Sequence, residues 1–412
     1  MISKIILSLF AALSLTSCVN NGEDNNSSAS AVISETFDFT AMMANYVDEL
    51  IIPSYQNFSN EIQSFNRDSG PLATYCSSIG STVEASERET AQIAWRSAMS
   101  TWQKSEAFLV GPVTKNGGTL RNNIYSFFSV APLSACATDQ AVVLAQASGF
   151  DISTRSFNHR GMDTLEYLLF NDNPNHNCPT QINETQNWNA LPSEDRFKQR
   201  CDYAQIVAAD TQHAIEDLIN AWVPTGINNR SSFIDPKNLS SSFKALSDSL
   251  FYIELEVKDS KLGVPTGINS SCSQLTCAAA SESQFSDTGL DNIRANLTGF
   301  RDAFTGNSGL GFDDIVLAKG FSSVSQTFLD NTNKAITLID SMDSTLLEQL
   351  EQIEASGSAT DCANSQANPE SVQSIPICSL HGYLKRITDS LRTEFITIVD
   401  VDLPTRAGGD ND

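Results

Sequence analysis

The sequence predicts an all-α protein in two helical halves, and three observations carry the all-α expectation. Apolar residues recur at three- and four-residue spacing through long segments, helix terminators punctuate those segments, and alternating strand patterns with Asn-Gly hairpins are absent. In order, the segments are "FTAMMANYVDELIIPSYQNFSNEIQSF" (39–65), "RETAQIAWRSAMSTWQKSEAFLV" (88–110), "DRFKQRCDYAQIVAADTQHAIEDLINAWV" (195–223) and "SFKALSDSLFYIELEVKD" (242–259). They continue with "GLDNIRANLTGFRDAF" (289–304), the long run 311–342 and "SLHGYLKRITDSLRTEFITIV" (379–399). In the second segment Ile93, Met99, Trp102, Ala107 and Phe108 carry the stripe, which stops at Gly111-Pro112, a helix terminator. Polar loops rich in Asn, Ser and Pro separate the helices, and "PTGINNRSSFIDPKN" is the best boundary between halves of 35–228 and 229–412.

Of 412 residues 41% are hydrophobic, enough for a sizeable core. The 49 acids against 25 bases leave a net charge of −24, which repels nucleic acid and anionic lipid head groups. Neutral or cationic partners suit it better. The first 18 residues, "MISKIILSLFAALSLTSC", read as a bacterial lipoprotein signal: Lys4 opens it, an apolar run follows, and Leu15-Thr16-Ser17-Cys18 is a lipobox whose cysteine takes lipid. The apolar run is too short for a membrane span. Residues 19–34 form a polar tether, and Val19 rather than Asp after the cysteine, by resemblance to Gram-negative lipoproteins, points to the outer membrane, facing periplasm or cell surface, with the lipid on Cys18 as anchor.

Eight cysteines remain, an even number that argues for disulfides in an exported chain. Proximity favours Cys178 with Cys201, Cys272 with Cys277 and Cys362 with Cys378, which leaves Cys76 with Cys136. None has the CxxC spacing of a thiolate metal site.

The stretch "GMDTLEYLLF" (161–170) holds the chemistry. On a helix Asp163 and Glu166 are neighbours on one face, at the border of the stripe formed by Met162, Leu165, Leu168 and Leu169. Two carboxylates beside a core repel each other and lose solvation, so a cation, proton or donor must accompany them. Arg121 and Arg160 are the candidate counter-ions. Glu106 in "WQKSEAF", Asp139 in "CATDQ" and Glu282 with Ser286 in "SESQFS" are further candidates, each weighed against a role in a core polar network. Trp95, Trp102, Tyr125 and Tyr167 read as core, and His176, His213 and His381 as isolated structural histidines. No His-Glu-x-x-His, Gly-x-Ser-x-Gly, P-loop or dinucleotide motif occurs.

"AWRSAMSTWQKSEAFLVGPV", "RNNIYSFFSVAPLSACATDQ", "GMDTLEYLLF", "ALSDSLFYIELEVKDSKLGVP" and "SESQFSDTGLDNIRANLTGF" resemble, in order and spacing, the imelysin-like proteins of the bacterial envelope. The resemblance implies two bundle-like halves with a groove, and a Gly-x-His-x-x-Glu motif marking the functional site. Gly161 and Glu166 match that motif, whereas Asp163 stands in the place of its histidine. Two carboxylates suit a hard cation, with iron or calcium favoured over zinc. His159, four residues before Asp163, shares its face only if the helix starts early. The expected function is therefore an exported lipoprotein binding a metal ion, a metal complex or a peptide in the groove, in bacterial iron uptake. The alternatives are a metal-dependent peptidase and an envelope interaction protein without metal.

Overall fold

Asp38 starts the first helix by accepting a hydrogen bond from the Ala41 amide. The computed structural model describes residues 37–129, 132–371, 374–405 and 407, and the expected signal, Cys18 and the whole tether lie outside them. Every regular element among the described residues is helical. Helix α1 (Phe39–Asn45) runs through a wide π turn (Tyr46–Ile51) into α2 (Ile52–Asn66). Pro53, near the start of α2, has no amide to donate, and the widened turn before it absorbs that missing bond. Helices α3 (Pro71–Ser78), α4 (Glu84–Ser105), α5 (Thr119–Ile124), α6 (Ala135–Leu144) and α7 (Gly161–Phe170) follow. Then come α8 (Ser193–Trp222), α9 (Asn229–Phe233) and α10 (Leu239–Ser249), the last leading into a π-helical stretch, Ile253–Gly263.

The segment predicted as one long helix over 311–342 is two, because Gly320, at φ +84°, ends the first. The series is thus α11 (Gly289–Thr305), α12 (Phe312–Ala318), α13 (Ser322–Asp340), α14 (Leu346–Ser356), α15 (Ala359–Ala367), α16 (Pro376–Ser390) and α17 (Ile396–Val399). The sequence reading missed α3, α5, α6, α9, α14 and α15; α5 and α9 are too short to show a periodic stripe, whereas α14 carries one in Leu346, Leu350 and Ile353.

Helix α4 lies at the centre, packed on α2, α3, α7 and α11, while α8 covers α2, α5 and α7. From Phe37 onward the chain clusters as one compact unit whose buried apolar residues form one continuous core on both sides of residue 228. No helix among the described residues is long and apolar enough to cross a membrane.

Four disulfides close the expected eight cysteines. Cys272 pairs with Cys277 and Cys362 with Cys378, as proximity predicts. The other two pairs correct the proximity reading: Cys76 joins Cys201, and Cys136 joins Cys178. The reason is packing, since α3 lies along α8 and brings together residues 125 apart, the pairing that separation ranks last among the first four of the eight cysteines.

Candidate functional site

Helix α7 is buried along nearly its whole length, so its two acids are held inside the protein. Gly161 opens it at φ +79°, where an added Cβ would lie 2.6 Å from the Ile124 carbonyl oxygen. Glycine there lets the helix start against the end of α5, and Asp163 falls in the first turn. Asp163 and Glu166 are 5% and 3% exposed and share the wall of a cavity of about 420 Å³. Tyr125, Phe127, Pro132 and Leu133 form another wall, and the segment Ala279 to Phe285 closes it from the opposite part of the chain.

The two carboxyls are supported unequally. Glu166 Oε1 accepts the amides of Phe285 (2.9 Å) and Ser286 (2.8 Å) and the Ser286 hydroxyl (3.0 Å). Asp163 Oδ2 accepts the Ser126 hydroxyl. The amides of Asp163, Thr164 and Ser126 also favour its charged form, yet none closes a hydrogen bond on Oδ1, which is buried without a partner. Burial pushes the Asp163 carboxyl up to about 7 against these donors. Burial likewise pushes Glu166 up to about 7, opposed by its Ser286 and Phe285 donors and reinforced by the neighbouring Asp163 charge. One oxygen on each acid is left over, with no basic side chain in the cavity lining.

The expected counter-ions are elsewhere, which corrects that part of the sequence reading. Arg121 bonds Glu106 Oε1 through Nε and Nη2 at 3.2 and 3.1 Å, and Arg160 clamps Asp210 at 2.8 and 2.7 Å. Glu106 also accepts from Tyr252, while Glu282 accepts from Gln103, Tyr125 and, at 2.9 Å, Lys261. Asp139 takes Arg200 (3.0 Å) and the Tyr167 hydroxyl (2.6 Å). Glu106, Asp139 and Glu282 therefore belong to ion-paired networks beside the cavity, and only Ser286 of the outlying candidates touches the acid pair. His159 sits in a short turn before α7, outside the cavity lining. Its imidazole is pulled down to about 4 by burial and by Arg155 and Arg160.

Sequence reasoning missed Ser126, Phe127, Leu133 and the Phe285 amide, and it read Tyr125 as plain core. "SESQFS" held part of the signal through Ser286, but a backbone amide leaves no trace in residue type. Among the described residues no group of three or more His, Cys, Asp or Glu is placed to hold a metal ion. The donors that remain are hard oxygens in too small a number to enclose a bare cation. They fit a cation that brings further donors with it.

The model of the imelysin family, peptidase M75, matches residues 51–372. An imelysin-like protein from Psychrobacter arcticum 273-4 superposes with a TM-score of 0.65 at 13% identity, covering 89% of this chain and 96% of its own. A protein from Parabacteroides distasonis ATCC 8503, assigned as an iron-regulated protein A precursor, gives 0.57 at 17% identity, covering 86% of this chain and 95% of its own. At such identities the likeness carries the fold. No curated relative matches the chain.

Proposed function

The chain belongs to the imelysin family, and from that premise we propose that it is a binding protein that takes a hard cation, still carrying water or other donors of its own, onto Asp163 and Glu166 for bacterial iron acquisition. The observation that carries this reading is the buried, partnerless Oδ1 of Asp163 beside Glu166 on a cavity wall without a basic residue. A bound cation would offset the mutual repulsion of the two acids. The iron-regulated neighbour supports the choice of iron, and the lipobox at Cys18 supports export and anchoring in the outer membrane.

Binding to the folded state alone raises stability by mass action. Ferric iron or calcium should therefore raise the melting temperature of the native protein more than zinc does, and chelator should reverse the gain. Asp163→Ala and Glu166→Ala should abolish it. Equal melting with metal and with chelator, and no metal by elemental analysis, would refute this function. A zinc peptidase needs three protein ligands, a general base and an open water position. The cavity supplies two acids and no imidazole. No cleavage of test peptides, with or without chelator, is the expected result.

A further inference from the structure

Resting on that reading of the cavity, we propose that the ligand is a cationic ferric complex with open coordination positions. In it a small apolar chelator of the hydroxamate or hydroxypyranone class, with singly charged oxygen donors, keeps part of the iron's coordination sphere. Asp163 and Glu166 fill the rest.

Three observations converge on this class. The first is donor supply. Glu166 Oε1 is occupied by three donors and Asp163 Oδ2 by Ser126, so the pair offers one remaining oxygen each. A hard ion in octahedral geometry takes about six oxygens. The missing donors must arrive with the ion. The second is space and lining. A cavity of about 420 Å³ has the size of a small-molecule site, and Tyr125, Phe127, Leu133 and Phe285 give it walls that suit an apolar or planar body.

The third is charge. With two acids and no Lys, Arg or His in the lining, nothing offsets an anionic ligand. Ferric tris-catecholates and ferric citrate are anionic and are disfavoured. A ferric ion carrying two singly charged bidentate chelators keeps one positive charge and has two positions held only by water. In the binding step those waters leave, carboxylate oxygens replace them, and any proton on either carboxyl passes to solvent. Iron stays ferric throughout.

The test uses the purified protein, ferric acetohydroxamate as probe, desalting, and measurement of iron by elemental analysis and of chelator by mass spectrometry. Iron and acetohydroxamate should stay with the native protein together, whereas ferric citrate should bind at least tenfold more weakly. Asp163→Asn keeps the side-chain shape and should weaken ferric acetohydroxamate binding at least tenfold. Ala280→Trp adds bulk to the cavity wall, keeps both acids and should exclude the complex. Retention of iron without chelator, equal binding of ferric citrate, or full binding by Ala280→Trp would overturn this inference while leaving the cation-binding function standing. Failure of ferric acetohydroxamate, ferric citrate and calcium alike would remove both.

Discussion

Two sets of buried acids lie side by side in this protein and are treated in opposite ways. Around α4, Glu106 and Glu282 are surrounded by Arg121, Lys261, Gln103, Tyr125 and Tyr252. On α7, Asp163 and Glu166 have hydroxyls and amides but no cation. Tyr125 touches both, lining the cavity with its ring and donating its hydroxyl to Glu282. The core tolerates a carboxylate by giving it a positive neighbour, so a pair denied one is a place where the fold accepts a cost that something else must offset. A count of buried acids would not separate the two sets; their partners do.

The largest effect should come from breaking the paired set. Arg121→Met leaves Glu106 buried beside only Tyr252 and the more distant Lys261 (3.8 Å), and should cost about 3–5 kcal/mol in urea unfolding. Adding Glu106→Gln should recover most of that loss. If Arg121→Met alone unfolds like the native protein, the distinction between the sets fails.

The unpaired set should announce itself through pH. Both α7 acids titrate at about 7 in the folded state, above the ordinary 3.8 and 4.5. Between about pH 4 and 7 the folded chain therefore holds protons that the unfolded chain has lost, and stability falls as pH rises through that window and levels off above it. The slope from each group reaches roughly 1.4 kcal/mol per pH unit. Urea titrations of the metal-free protein from pH 5 to 8 should show this decline. The double variant Asp163→Asn, Glu166→Gln should be flatter and, above pH 7, more stable than native. Parallel profiles would place both acids with the paired set.

The smallest effect sharpens the same comparison within the cavity. Ser126→Ala removes the hydroxyl donor of Asp163 and should cost about 1 kcal/mol at pH 8 and less at pH 5, where the neutral acid has less need of it. Equal losses at both pH values, read by the same unfolding, would show that the serine matters only for packing.

How far the sequence revealed this arrangement depends on range. Asp163 and Glu166 were legible because they are three apart on a helix whose stripe is strong, and α4, α8 and α11 were legible for the same periodic reason. Which arginine serves which acid was not, because nearness in the chain does not fix where a guanidinium points: Arg160 adjoins the motif and still turns away from its acids. The fold turns Arg121 toward Glu106 and Arg160 toward Asp210 on α8. The segment over the cavity was flagged through Ser286, whose hydroxyl bonds Glu166, yet two of the three donors in that clamp are amides that residue type does not reveal.

The cysteine pairing has a consequence for maturation. If the thiols oxidise in the order in which they emerge from N to C terminus, Cys76 meets Cys136 and Cys178 meets Cys201, and both bonds are wrong for the packing of α3 and α6 on α8. The native pairs are nested along the chain, Cys136 and Cys178 both lying between Cys76 and Cys201. Vectorial oxidation would thus trap this chain in a misbridged state. Reaching the native one then requires thiol–disulfide exchange, through a mixed-disulfide intermediate, that reshuffles the first bonds formed. A host lacking disulfide isomerase activity should accumulate this protein with the wrong disulfide pairing even where its oxidising capacity is ample.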